Sequence, residues 1–158
     1  RSDKTRIEST VTTRAAVFMP IALLLGITIG STMTYYRVSM EMLEPAVWEE
    51  LFMCGRTIYT KLRDKAPVEY KSTAEVSDTL AANGCIIRGK VEHSVLFRGV
   101  VVEEGAEVKN CIIMQDAVIH AGDHIANAIL DKNVVITEDK RLSGAFNYPM
   151  IIGKDITI

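Results

Sequence analysis

Three histidines are the side chains best suited to acid–base chemistry or metal binding near neutral pH. His93 stands by itself, whereas His120 and His124 flank the turn-forming sequence HAGDH. A histidine-rich metal site needs several converging ligands and partners that orient them. No pattern of carboxylates around these histidines supplies such a set. We therefore predict exposed surface histidines, no metal site and no catalytic residue in this chain.

The cysteines do not suggest reactive chemistry either. Cys54, Cys85 and Cys111 are an odd number without a CxxC pair, which predicts neither a disulfide framework nor a zinc site, and favours a reducing compartment. Cys85 and Cys111 stand among aliphatic residues and are expected in the core. The sequence also lacks P-loop, GxGxxG and GxSxG motifs. We predict no cofactor for this chain.

One cluster of basic residues precedes Pro67, beside Tyr59. It consists of Arg56, Lys61, Arg63 and Lys65. Arginine and lysine bind phosphate well, so a phosphate-bearing small molecule is one candidate ligand. The alternative is a solvated connector whose charges neutralise the nearby Glu49 and Glu50.

The composition limits the class of protein. The 158 residues carry a formal net charge of -2, with 48% hydrophobic and 24% charged residues. This balance is typical of one globular domain with a small appendage, and it offers no basic field to attract nucleic acid.

The sequence divides into three segments that differ in composition. Residues 1–33 contain a polar start and an apolar run at 15–30, which is interrupted by Pro20 and Gly26. That run is shorter than the roughly 20 residues that a membrane helix needs, so a membrane span is not expected. The alternatives are a buried element of a larger domain and a sequence foreign to the fold.

Residues 34–70 are predicted as helix, turn, helix and extended connector, with a helix starting near Thr34 and Pro45 in the first turn of the second helix.

An internal repeat dominates residues 71–158. Similar sequences begin at Val91, Val108 and Ile125, which are 17 residues apart, and a shorter unit begins 15 residues earlier, at Val76. Aliphatic residues recur at steps of six, six and five within each unit. Three short strands per coil, joined by turns, explain this spacing and predict a three-faced parallel β-helix. Corners need residues that tolerate positive φ, and suitable ones recur: Gly84, Gly89, Gly99, Gly105, Asn110, Asp116, Gly122, Asn127 and Asn133.

Two further expectations follow from the repeat. Phe97, Met114 and Asp131 occupy equivalent positions, so Asp131 is expected to replace an inward apolar group. The alternative is that Asp131 faces a corner or the closing segment and pairs locally with Lys132. Residues 137–158 are expected to finish the stack, with Phe146, Tyr148 and Pro149 closing its end.

Several phrases resemble a known family. TYYRVSMEMLEPAVWEELF, GRTIYTKLRD, ANGCIIRGKVEHSVLFRGV, VKNCIIMQDAVI and AILDKNVVI are similar to the C-terminal domain of glucose-1-phosphate adenylyltransferase, and within that family to the GlgD-type regulatory subunit. The resemblance covers the chain from about Thr34 onward. It implies a left-handed hexapeptide β-helix, a handedness that the periodicity itself does not give.

The resemblance also implies a function. The parent family makes ADP-glucose and pyrophosphate from ATP and glucose 1-phosphate in glycogen synthesis, with ATP and Mg²⁺ bound by a domain that precedes the β-helix. We expect that catalytic domain outside this chain, and a cytoplasmic role in regulation and assembly with adenylyltransferase subunits. The phrase IYTK matches the family's entry into the β-helix, which makes Arg56 and Lys61 candidates for binding a phosphate or sugar-phosphate effector.

Two other functions stay open at this point. Hexapeptide β-helices include acyltransferases with a catalytic histidine, so a stand-alone acyltransferase using His93, His120 or His124 is the alternative. A membrane-tethered scaffold, held by residues 15–30, is the third hypothesis.

Overall fold

The computed structural model describes residues 30–52 and 65–158. Two helices joined by a short turn precede a stack of parallel strands. Helix α1 spans Thr32–Glu41 and α2 spans Pro45–Phe52. The strands are β1 Glu69–Tyr70, β2 Glu75–Ala81, β3 Ile86–Ile87, β4 Lys90–Leu96, β5 Val101–Val102, β6 Glu107–Ile113, β7 Val118–Ile119, β8 His124–Leu130, β9 Val135–Ile136, β10 Arg141–Ser143 and β11 Met150–Ile152.

The start of α1 differs slightly from the prediction. The helix begins at Thr32, because the hydroxyl of Ser31 caps it by accepting a hydrogen bond from the Thr34 amide at 3.2 Å. Helix α2 begins at Pro45, where a missing N–H has no intrahelical partner to lose.

The strands form three faces around one core. Strands β1, β3, β5, β7 and β9 pair in that order and form face A. The long strands β2, β4, β6 and β8 each contain a residue with positive φ in the middle, which turns the chain. Their first halves, with β10, form face B, and their second halves, with β11, form face C. The predicted three-faced β-helix is confirmed.

The predicted register is also confirmed. Val91 pairs with Val108 and Val108 with Ile125, and Val76 pairs with Val91 at the shorter spacing. Equivalent side chains therefore stack from coil to coil, and the inward ones are buried. They are Ile87, Val102, Ile119 and Ile136 on face A, Val91, Val108 and Ile125 on face B, and Leu96, Ile113 and Leu130 on face C.

The corners follow the sequence with one exception. All the glycines, asparagines and the aspartate predicted there have positive φ except Gly89. Gly89 serves a different need, because a Cβ at this position would collide with the carbonyl oxygen of Ala106 in the next coil.

The expectation that Phe97 and Met114 point inward was wrong, and so was the inward alternative for Asp131. Phe97 and Met114 lie outside the coil and pack against α1, and Asp131 is half-buried at the equivalent position. All three residues directly follow an inward residue, and side chains alternate between the two sides of a strand, so they point outward. Asp131 does contact Lys132, but through the backbone: the Lys132 amide donates to Asp131 Oδ1 at 2.7 Å.

The closing segment also differs from the prediction. Phe146 and Tyr148 are 83% and 75% exposed, whereas Pro149 is buried. Leu142 stacks on Ile125 at a spacing of 17 residues, but Met150 stacks on Ala128 at 22, so five extra residues leave the last coil as a loop. The two aromatic rings therefore lie in solvent and do not close the stack.

Candidate functional site

The three histidines lie in separate pairs with acidic residues one coil earlier. His120 Nδ1 is 3.0 Å from Glu103 Oε2, and His124 Nδ1 is 3.1 Å from Glu107 Oε2. His93 Nδ1 contacts the Asp78 carboxylate. Among the residues that the structure describes, no three His, Cys, Asp or Glu side chains are placed to hold a metal ion. The arrangement holds neighbouring coils together, and it orients each imidazole.

His93 occupies a corner position in a ladder of polar side chains. Asp78, His93, Asn110 and Asn127 all have φ between 45 and 50 degrees. Asn110 Nδ2 donates to Asn127 Oδ1 at 3.1 Å, and Asn127 Nδ2 donates to the Gly144 carbonyl at 3.2 Å. Side chains that form such a ladder satisfy one another's polar groups, so this corner needs no ligand to satisfy them.

This corner also holds α1. The Tyr36 hydroxyl donates to the Asn110 carbonyl oxygen at 2.6 Å, across 74 residues of sequence. Burial raises the pKa of Tyr36 to about 12, so the phenol stays a donor through the physiological range. The hydrogen bond thus fixes the helix on the outside of face C.

A buried carboxylate was missed by the sequence reasoning. Asp123 is fully buried at the corner after face A; its Oδ1 accepts a hydrogen bond from the Lys140 amide at 2.8 Å, and its Oδ2 has no partner. Burial raises the pKa of Asp123. The available signal was the ladder itself, because Asp123 stands where Gly89 and Ala106 stand in the two preceding coils.

The buried cysteines are poor nucleophiles. Cys85 and Cys111 are fully buried, as predicted. Burial raises the pKa of Cys85 to about 11 and that of Cys111 to about 12, so both are thiols at neutral pH.

The basic cluster is described only at its end. The candidate effector residues Arg56 and Lys61, like Arg63, Cys54 and the apolar run 15–30, lie outside the described residues. Lys65 is described, and its Nζ is 2.8 Å from Asp116 Oδ1. The Lys65 side chain passes the Cα atoms of Gly84 and Gly99, where a Cβ on either residue would meet it.

The three outer faces carry different surfaces. Face B is polar and includes the Glu92–Lys109 ion pair at 3.0 Å. Face C presents Val95, Ile112 and Ile129, which are buried beneath Tyr36 and its neighbours on α1. The outer ladder of face A contains four consecutive half-buried aliphatic residues, Ile86, Val101, Val118 and Val135, and it ends in Glu69 on one side and Thr157 on the other.

This geometry defines a class of protein, the hexapeptide-repeat β-helices. A model of the family described as GlmU-like, C-terminal hexapeptide, matches residues 65–144. The chain belongs to this family.

Two named groups of proteins are similar to the chain. It is 41% identical over 81 residues to the glycogen biosynthesis protein GlgD of Bacillus subtilis, covering 51% of this chain and 24% of that protein. It is 49% identical over 70 residues to GlgD of Geobacillus stearothermophilus, covering 44% and 20%. It is 36% identical over 81 residues to the glucose-1-phosphate adenylyltransferase of Geobacillus stearothermophilus, covering 51% and 21%. The chain thus spans about a quarter of these relatives or less.

In the part of the chain that the structure describes, no helix is long and apolar enough to cross a membrane.

Proposed function

We propose that the chain is the regulatory and assembly domain of a glycogen-biosynthesis protein. This protein would belong to the glucose-1-phosphate adenylyltransferase family and be of the GlgD type. In this proposal residues 34–70 connect to the β-helix of residues 71–158, and catalysis with ATP and Mg²⁺ belongs to a domain outside the chain. The supporting observation is the identity of 36–49%, over 70 to 81 residues, to proteins named glycogen biosynthesis protein GlgD and glucose-1-phosphate adenylyltransferase. Parallel β-helices also present ladders and edges that suit subunit contacts.

The test is complex formation with a full-length glucose-1-phosphate adenylyltransferase. We expect the tagged chain to co-purify with that enzyme and to change its rate of ADP-glucose formation, while the chain alone forms none. The matched control is Val91→Asp, which buries a charge at a position with no exposure and should unfold the coil and abolish binding. ADP-glucose formation by the chain alone, or binding equal to that of Val91→Asp, would contradict the proposal.

We further propose that Arg56 and Lys61 bind a phosphate or sugar-phosphate effector. Guanidinium and ammonium groups supply charge-assisted hydrogen bonds to phosphate oxygens. Titration calorimetry with inorganic phosphate and a sugar bisphosphate tests this. Heat that is lost in Arg56→Gln/Lys61→Gln but kept in Lys71→Gln/Lys154→Gln is the expected result; equal heat in both variants is the contrary one.

The proposed location is the cytoplasm, with neither nucleic acid nor a membrane as partner. The net charge of -2 supports this, since nucleic acids and anionic membrane surfaces attract basic proteins. Fractionation of the native host that recovers the protein with membranes would contradict it.

One observation favours the acyltransferase alternative. Glu103 holds Nδ1 of His120, an arrangement that orients imidazole as a general base. Acyl transfer from an acyl-coenzyme A that is lost in the triple variant His93→Ala/His120→Ala/His124→Ala would support that function. Equal, background turnover in both proteins would exclude it.

A further inference from the structure

The loop between β10 and β11 forms a short finger, residues 144–149, at the corner between faces B and C of the last coil. Ala145 and Tyr148 pair through two backbone hydrogen bonds, of 3.1 and 3.0 Å. Phe146 and Asn147 therefore form the tip of a two-residue hairpin. The finger is thus a built element of the last coil, and its tip carries an aromatic ring.

The base of the finger is held by the coil below it. The Gly144 amide donates to the Ala126 carbonyl at 3.0 Å, and the Gly144 carbonyl accepts from Asn127 Nδ2 at 3.2 Å. A Cβ on Gly144 would collide with the Asn127 carbonyl oxygen and with the Met150 nitrogen, so the two ends of the finger lie close together. These contacts fix where the β-helix presents the finger.

The finger exposes two aromatic side chains. Phe146 is 83% exposed and Tyr148 is 75% exposed. Exposed apolar groups that lie together are favourable binding surfaces, because covering them removes apolar area from water. An aromatic side chain buries about 150–250 Å², so the two together offer at most roughly 500 Å². That is less than the roughly 800 Å² per partner of a standard protein interface, and it suits a small ligand.

The surroundings of these rings are neutral and polar. Residues 142–153 contain no Asp, Glu, Lys, Arg or His. Of the two flanking cations, Lys154 pairs with Asp155 at 3.3 Å. Asn147 is exposed, and its amide can both donate and accept hydrogen bonds, as can the Tyr148 hydroxyl. This composition favours an uncharged ligand that carries hydroxyl groups over a phosphate or an anionic polymer, which basic surfaces attract.

A glucose chain has this chemistry. Each ring presents C–H groups on its faces, which stack on aromatic rings, and hydroxyls around its edge, which exchange hydrogen bonds with amides and hydroxyls. We propose that the finger binds a neutral α-glucan chain, with Phe146 and Tyr148 stacking on glucose rings and Asn147 bonding to their hydroxyls. The inference rests on the proposed function for the identity of the sugar, since a glycogen-biosynthesis protein works where α-glucan is made. It adds a site that holds the chain to that polymer.

The test is native gel electrophoresis of the full 158-residue chain through gels that contain increasing amounts of glycogen. We expect glycogen to retard the wild type, and Phe146→Ala/Tyr148→Ala to weaken the apparent affinity at least about tenfold. The matched control is Tyr70→Ala, which removes a partly exposed aromatic ring from face A and should leave the retardation unchanged. Because no adenylyltransferase or nucleotide is present, the result does not depend on complex formation.

Two further measurements define the ligand and the role of the rings. Titration calorimetry should give heat with maltoheptaose but none with the β-linked cellohexaose. Phe146→Leu/Tyr148→Leu keeps apolar side chains but removes the aromatic faces, and it should lose binding like the alanine pair. If the circular dichroism of the alanine pair shows a damaged fold, the leucine pair carries the test.

Several results would overturn the inference. They are a wild type that glycogen does not retard, equal retardation of the wild type and both double variants, and equal heat from the two oligosaccharides. Loss of co-purification with adenylyltransferase in the alanine pair, without glucan binding by the wild type, would make the finger a protein contact. Failure of the proposed function looks different, because the wild type would then bind glycogen through the finger and not co-purify with the enzyme.

Discussion

Faces A and C have the same kind of outer surface but differ in what lies on it. Val95 on face C and Val101 on face A belong to the same coil, six residues apart, and both point outward. Val95 is fully buried because α1 lies over it, whereas Val101 stays half-buried. An outward ladder of aliphatic residues in the sequence therefore does not by itself predict that these residues are buried. The covering element, which comes from outside the repeat, decides which outward ladder becomes a second core.

The largest expected effect is the difference in stability loss when Val95 and Val101 are each replaced by alanine. Val95→Ala should lower the free energy of unfolding by about 2 kcal/mol, since it removes buried methyl groups and leaves a cavity. Val101→Ala should cost less than about 1 kcal/mol in dilute protein, where its side chain stays half-exposed. Urea unfolding of both variants at low concentration is the measurement. Equal losses would mean that α1 does not protect face C.

A smaller effect concerns the corner between faces C and A. Gly99 has a φ of 73 degrees, and an added Cβ would collide with the Asp116 carboxylate and lie 2.6 Å from Lys65 Nζ. Gly105 has a similar φ of 78 degrees but an open neighbourhood, with its nearest contact at 3.7 Å. Both Gly→Ala changes carry the conformational strain of about 1 kcal/mol.

Gly99→Ala should cost more than Gly105→Ala because it also displaces the Lys65–Asp116 ion pair. Thermal unfolding of the two variants measures the difference. That difference should shrink in the Asp116→Ala background, where the collision with the carboxylate is absent. If it stays the same there, the ion pair does not determine the cost.

The hydrogen bond between α1 and the β-helix should contribute somewhat less to the free energy of unfolding. Tyr36→Phe removes the donor to the Asn110 carbonyl and should destabilise the protein by about 1 kcal/mol. Tyr148→Phe is the matched control, because Tyr148 is 75% exposed, and should stay within about 0.5 kcal/mol. Hydrogen exchange in α1 should also increase in Tyr36→Phe alone. Equal behaviour of the two variants would show that packing, not the hydroxyl, holds the helix.

The repeat was predictable because it is local. The spacing of Val76, Val91, Val108 and Ile125 fixes which residues stack, and one residue per corner fixes where the chain turns. The same spacing misplaced Phe97 and Met114, since repeat position alone does not say whether a side chain points in or out. Counting one residue back, to the buried Leu96 and Ile113, restores the alternation.

The remaining features depend on distant contacts or broken periodicity. No pattern near Tyr36 indicates its bond to Asn110, which lies 74 residues later. The exposed Phe146 and Tyr148 follow from five extra residues, and an insertion has no repeat partner to align with. The candidate residues Arg56 and Lys61 lie outside the described residues and remain predictions.

The smallest expected effect is a pH dependence at the corner that follows face A. Asp123 has a raised pKa because it is fully buried, so the folded state binds its proton more tightly than the unfolded state does. Between the unfolded pKa and the raised folded pKa, the folded protein holds more protons, and stability therefore falls as pH rises. Asp123→Asn keeps an oxygen to accept from the Lys140 amide but removes the titration. The wild type should thus gain stability relative to Asp123→Asn as the pH is lowered through this window, measured by urea unfolding at matched pH values. A constant difference between the two proteins would mean that Asp123 has the same pKa in the folded and unfolded states. Water would then reach its carboxylate in the folded protein.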